Sequence, residues 1–266
     1  MAQILDAYLF LAAFVFVYMT FWYVISLLFR RADVADIAWW LWFLWVAISS
    51  FLLNWIAFDV WFLATCLVSV WALRLSFHIF LRNKWKTEDY RYKNWRDMWW
   101  RWFFLRSFFQ IFILQGFLLL LVSSPVVVIN VFRPSFWLAG LLWIILWIIG
   151  FLFETVGDYQ LSVFKKDPFN KGKLLQSGLW SITRHPNYFG EVLQWWALWF
   201  FTLSTPYFLF GLLGPITITV LILFVSGIPM LERKMSSHPD FALYAQKTNK
   251  FFPGFSSIFF LRKNWK

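Results

Sequence analysis

Long apolar runs, cut by short polar stretches, make up most of this chain. Seven runs stand out, at 7–29, 37–57, 59–81, 103–122, 135–153, 189–204 and 207–228. Most reach the roughly 20 residues that a helix needs to cross the hydrocarbon core of a bilayer. Strict alternation of apolar and polar positions is absent, which argues for helices over a membrane barrel. The connections at Phe58-Asp59 and Ser204-Thr205-Pro206 are short enough for tight hairpins. The pattern predicts an all-α integral membrane protein with seven transmembrane helices in a single integral domain over 1–266.

Composition agrees with that pattern, and charge adds a direction. Hydrophobic residues make up 61% of the chain and charged residues 14%, against roughly 25% charged in soluble domains. Every one of the 24 Lys and Arg except Arg133 falls on the side holding the odd-numbered loops and the C-terminal tail. The positive-inside rule then places that side in the cytoplasm and the N-terminus outside. The net charge of +11 therefore reads as orientation and attraction to anionic headgroups, not as a nucleic-acid surface. Cys66 is the single cysteine, so no disulfide framework forms. His78, His185 and His238 are too far apart for metal-ligand spacing. The first run reads as a retained helix, not a cleaved signal.

Two loops depart from plain connectors. In 83–102, Tyr92, Trp95, Trp99 and Trp102 recur at helical spacing, which predicts an interfacial helix along the cytoplasmic leaflet. Glu88-Asp89-Tyr90-Arg91 precedes it, either as a solvated cap or as a group that positions a ligand. Trp39, Trp40, Trp42 and Trp45 read as lipid-facing or interfacial aromatics. In 154–188, Glu154 and Asp158 share a helix face, Lys165, Lys166, Lys171 and Lys173 follow, and Arg184-His185-Pro186-Asn187-Tyr188 enters the sixth run. Pro186 marks that helix start, and Asn187 and Glu191 lie on one face of it. Glu191 sits a turn inside the apolar region and needs a donor, either Arg184 or a ligand group. After the seventh run, Glu232-Arg233-Lys234 reads either as a basic helix end or as the wall of the same polar cavity.

Gly178-Leu179-Trp180, Arg184-His185-Pro186-Asn187-Tyr188, Gly190-Glu191, Leu231-Glu232-Arg233-Lys234-Met235, Tyr244 and Phe252-Pro253 together resemble the C-terminal half of the steroid 5-alpha-reductase family, in its bacterial membrane branch. The likeness is fullest over 150–255. Sterol C14 reductases and isoprenylcysteine carboxyl methyltransferases share a looser form of it. The resemblance implies a seven-helix reductase in a bacterial inner membrane that uses NADPH on a lipid-soluble enone. Residues 1–134 would supply the substrate side and 135–266 the cofactor half. It implies that Asp158, Asn187, Tyr188 and Glu191 hold the dinucleotide, joined by Arg184, His185, Glu232, Arg233 and Tyr244. Lys165 and its neighbouring lysines would meet the phosphates. No Gly-x-Gly-x-x-Gly follows a strand, so this is not a Rossmann site.

Steroid reductases polarise the enone carbonyl with a Glu–Tyr pair near the second and third helices. Here those runs hold no Tyr, and Trp71 falls where the family has it. Asp36 then stands in for the glutamate, with Tyr90 or Tyr92 as the proton donor. The alternatives are an S-adenosylmethionine-dependent methyltransferase on a lipid or prenylated substrate, and a non-enzymatic lipid-binding or transport protein. Membrane lipids are the expected surroundings, and a monomer is compatible with the sequence.

Overall fold

A computed structural model describes residues 2–53, 60–83, 88–134 and 138–254. The described residues are helical, without strands. The first three helices are α1 (Ala2–Phe29), α2 (Val34–Leu53) and α3 (Val60–Asn83). Next come α4 (Tyr90–Trp99), α5 (Phe103–Ser107) and α6 (Leu114–Val122), the last two joined by a wide turn over Phe108–Ile113. Then follow α7 (Ser124–Phe132), α8 (Leu138–Lys166) and α9 (Pro186–Phe200). The chain finishes with α10 (Phe208–Gly211), α11 (Leu213–Val220), α12 (Ile228–Met235) and α13 (Phe241–Lys247).

Among the described residues, five stretches are long and apolar enough to cross a membrane: Ile4–Phe29, Phe62–Leu81, Arg91–Val122, Gly140–Lys166 and Phe208–Met235. Their outward faces carry large apolar side chains such as Leu28, Phe77, Phe117, Leu142 and Phe224. Water would make so much exposed apolar surface costly, and acyl chains would not. Helix α2, with 20 residues, is of spanning length, whereas the sixth predicted span falls short of it. The predicted continuation of the second span past Leu53 lies outside the described residues. Helix α9 has 15 residues before the chain tightens at Phe201–Ser204.

The connection expected at 123–134 is instead a buried helix, α7. Pro125 opens it, where a missing N–H costs nothing, and Arg133 closes it with φ 45. Trp42 corrects the lipid-facing reading. It is fully buried and its indole N–H donates to Ser123 Oγ at 3.0 Å. A buried indole needs that partner.

The chain forms two compact units. Unit 1 comprises Met1–Phe136 with Phe201–Gly214, and unit 2 comprises Trp137–Phe200 with Pro215–Lys266. In unit 2, α8 and α9 pack closely because glycines remove the side chains between them. A Cβ on Gly150 would stand 2.7 Å from the Gly190 carbonyl oxygen, and one on Gly157 would stand 3.1 Å from the Pro186 ring. Small residues at the contact face let membrane helices approach in this way.

Candidate functional site

Unit 1 gathers four carboxylates and three arginines around the turn between α1 and α2 and the start of α4. Asp89 caps α4 by accepting from the Arg91 N–H at 2.9 Å, which orients the helix start. Arg91 reaches back to Asp89 at 3.0 Å and across to Asp36 Oδ2 at 3.0 Å. Glu88 accepts from the Ala32 N–H at 2.7 Å and pairs with Arg96 at 2.8 Å. Asp33, nearly fully buried, pairs with Arg31 at 2.7 Å and accepts the Asp89 N–H at 3.3 Å. Tyr92 lies on the next position of α4, almost wholly buried, and its hydroxyl donates to Asp36 Oδ1 at 2.6 Å.

Two of the three residues expected to carry proton chemistry are therefore in direct contact. Tyr90 opens α4, and its side chain lies outside the described ones. Trp71, at the position of the family tyrosine, packs edge-on against Trp40 at 5.3 Å and near Phe43 at 5.5 Å. Sequence reading missed Gln115, whose amide donates to the Tyr92 oxygen at 3.4 Å. The available signal was an amide well inside an apolar run, which is costly unless it has work to do.

In unit 2 the site is built from the seam of α8 and α9 and from the C-terminal cap. Along the seam Asn187 Nδ2 donates to Asp158 Oδ1 at 3.1 Å, and Gln194 Nε2 donates to the buried Glu154 at 2.7 Å. Asn187 Oδ1 is shielded and has no hydrogen-bond partner in the structure. Glu191 is buried on the same helix. Tyr188 stacks on the His185 ring at 5.8 Å between centroids.

The carboxylate that Arg184 holds is Glu232, not the predicted Glu191. Arg184 Nε and Nη2 reach Glu232 Oε1 at 2.8 and 2.7 Å. Its Nη1 donates to the carbonyls of Ala245 at 3.1 Å and Thr248 at 2.6 Å. The Arg184 N–H donates to Asn249 and Thr183 Oγ1 to Phe251, both carbonyl acceptors, at 2.9 and 2.8 Å. Tyr244, buried, donates to the Trp180 carbonyl at 2.5 Å. Arg184 and Tyr244 thus pin the chain after α12 onto the turn before α9. Burial pushes the Tyr244 phenol above its ordinary pKa.

His185 is fully buried, and its Nε2 lies 3.3 Å from Glu232 Oε1. Burial pushes its pKa below the usual histidine value; Glu232 opposes that shift, while Arg184 and Lys250 add to it. His185 and Trp180 form part of a cleft of about 760 Å³. Lys165, Lys171, Lys173 and Lys234 line it too, as does His238. Asp167 is the lone acid among its described lining residues. That carboxylate already accepts from the Phe169 N–H at 2.9 Å and from Asn170 Nδ2 at 3.2 Å. Of the predicted cofactor residues, Lys165 and His185 line the cleft. Asp158, Asn187, Tyr188 and Glu191 belong to the seam, Glu232 backs His185, and Arg233 lies exposed on α12. Lys234 takes the second of the two readings offered for Glu232-Arg233-Lys234, the wall of a polar cavity; His238 was not singled out from sequence, because a lone histidine carries no signal by itself.

No solved structure matches the chain. A stretch of 44 residues, 16% of this chain and 16% of the relative, is 48% identical to the probable O-methyltransferase ustE of Ustilaginoidea virens. An uncharacterized protein of Schizosaccharomyces pombe is 25% identical over 217 residues, 70% of this chain and 61% of that protein. The chain thus spans less than two thirds of either relative's length. A family model described as a protein of unknown function, DUF1295, matches residues 22–248. That family includes steroid 5-alpha-reductase-like membrane proteins. Matched over most of its length, this chain belongs to the DUF1295 family.

Proposed function

We propose that the chain is an NADPH-dependent membrane reductase. It would transfer a hydride to the C=C bond of a lipid-soluble enone such as a 3-oxo-4-ene steroid. The observation that carries this reading is the lysine-lined cleft of unit 2. Four lysines line it with a single described carboxylate, which already accepts two hydrogen bonds; so basic a lining suits phosphates. The residues present fit the cofactor on a second count: Asn187 Oδ1 is a shielded acceptor without a partner, suited to a carboxamide or ribose donor. Lys165, Lys171, Lys173 and Lys234 would hold the phosphates, and Asp158, Asn187 and Glu191 the hydroxyl and amide groups. NADPH supplies the hydride; the protein supplies orientation and polarisation.

Within unit 1, Tyr92 with Asp36 is the candidate acid. Negative charge grows on the enone oxygen during reduction, and a donor already in place lowers the barrier. Tyr92 is that donor. Its proton rests on Asp36, and Arg91 holds the other Asp36 oxygen. When the phenol turns its hydrogen bond to a carbonyl, Asp36 keeps the Arg91 pair and is not left as an orphaned carboxylate. Gln115 approaches the phenol oxygen and limits its swing. Asp36→Asn should therefore slow turnover more than it weakens NADPH binding.

The second reading is a methyltransferase using S-adenosylmethionine, which the name of the Ustilaginoidea virens relative favours. That cofactor brings a sulfonium cation and no phosphate, a poor match to four lysines. The test is NADPH oxidation by purified protein with 3-oxo-4-ene steroids and simpler enones. Enone-dependent oxidation supports the reductase. Absence of both NADPH binding and turnover refutes it.

A further inference from the structure

The cleft of unit 2 ends on an imidazole whose two nitrogens have different surroundings. His185 Nε2 faces Glu232 Oε1 at 3.3 Å. Nδ1 is shielded from solvent and has no hydrogen-bond partner in the structure. Glu232 receives Arg184 on the same oxygen at 2.7 Å, so it is an ionised, acceptor-only group. An acceptor-only neighbour requires that Nε2 carry the proton, which fixes the tautomer of the ring. The neutral ring then offers a bare lone pair at Nδ1.

We propose that Arg184 and Glu232 are positioning residues that hold His185 as an acceptor at Nδ1, and that this nitrogen takes a hydrogen bond from a ribose hydroxyl or an adenine amino group of the ligand in the lysine-lined cleft. This rests on the reading of that cleft as a nucleotide site, but the tautomer itself does not. Arg184 is unsuited to the ligand role expected of it, since all three guanidinium nitrogens already engage Glu232, Ala245 and Thr248. Leaving those groups unpaired would cost more than a ligand contact returns. Its work is done through Glu232, much as a carboxylate sets a histidine at a metal site.

The charged groups around the ring are Glu232, Arg184 and Lys250. Two of the three are cations and oppose a second proton, as does burial. Protonation at low pH would turn Nδ1 from acceptor to donor. Ligand affinity should therefore be full at neutral pH and fall as pH drops through a pKa below the usual histidine value.

Nitrogen NMR of the full chain in detergent, with labelled histidine, tests the tautomer without any ligand. Three histidines are present, and His185→Asn assigns the signal. We expect an unprotonated Nδ1 at neutral pH in the wild type and mixed tautomers in Glu232→Gln. A proton on Nδ1 in the wild type overturns the proposal. Binding of NADP⁺ and of S-adenosylmethionine by calorimetry reads the ligand, since both carry ribose and adenine. His185→Asn keeps an acceptor near the Nδ1 position and should bind within threefold of wild type, without the pH step. His185→Gln places its amide near Nε2 and should lose about tenfold. Equal loss in both variants makes the histidine a packing residue and overturns the proposal. If the tautomer holds but neither cofactor binds, the nucleotide reading fails and the positioning roles of Arg184 and Glu232 stand.

Discussion

The two polar clusters of this molecule are built on opposite plans. In unit 1, Asp33, Asp36, Glu88 and Asp89 meet Arg31, Arg91 and Arg96, mostly side chain to side chain. In unit 2, one carboxylate, Glu232, meets Arg184, whose remaining donors go to backbone carbonyls. A side-chain network can trade a partner without moving the chain. A guanidinium bonded to backbone cannot, and so it fixes the fold. The first plan suits a proton that changes owner, and the second suits a wall against which a ligand is held. Lys165, Lys171, Lys173 and Lys234 line the cleft together with His185.

Arg184→Ala should break the contrast most severely. It leaves Glu232 with only His185 and the longer Lys250 contact, and takes the guanidinium donor from the Ala245 and Thr248 carbonyls. Loss of one partner of a buried pair costs about 3–5 kcal/mol, so thermal unfolding in detergent should occur far earlier than in wild type. A stability within 1 kcal/mol of wild type would show that the clamp does not hold the cap, a threshold set by what exposed pairs are worth, roughly 0–1 kcal/mol.

Tyr92→Phe comes next and acts on the other side of the comparison. It removes one hydroxyl and leaves the Arg91–Asp36 pair in place. General-acid contributions run to about 10²–10⁴-fold, so turnover should fall by roughly a hundredfold with cofactor affinity unchanged. An equal loss of affinity and turnover would assign Tyr92 to structure. The double variant Lys173→Ala, Lys234→Ala should weaken NADP⁺ about tenfold, the equivalent of about 1.4 kcal/mol. The loss should shrink in high salt, because exposed charges are screened. Gln115→Leu should have the smallest effect, a few-fold on turnover, by loosening the phenol that its amide meets at 3.4 Å.

Much of the fold was written in the apolar runs. Backbone groups in lipid have no partner but each other, so a run of apolar residues has one outcome. Run length was a poorer guide, since α9 stops at 15 residues and α7 occupies a predicted loop. A buried helix and a connector differ by what packs on them, which local sequence does not state. The same limit applies to the sites. Glu191 and Arg184 each announced the need for a partner, but Arg184 took Glu232, 48 residues away. Asp36 was named from the resemblance with either Tyr90 or Tyr92 beside it, and the contact with Tyr92 came only with the fold. The cleft was legible only in part, through its lysines and not as a shaped space. Lys165–Lys173 and Lys234–His238 come from separate segments, and only folding puts their charges around one space.

Equilibrium binding of NADP⁺ and S-adenosylmethionine to the purified chain, side by side in one detergent, tests the central claim most directly. The account predicts saturable NADP⁺ binding that weakens in the Lys173→Ala, Lys234→Ala variant, with S-adenosylmethionine at least tenfold weaker. Saturable binding of S-adenosylmethionine with none of NADP⁺ would contradict it.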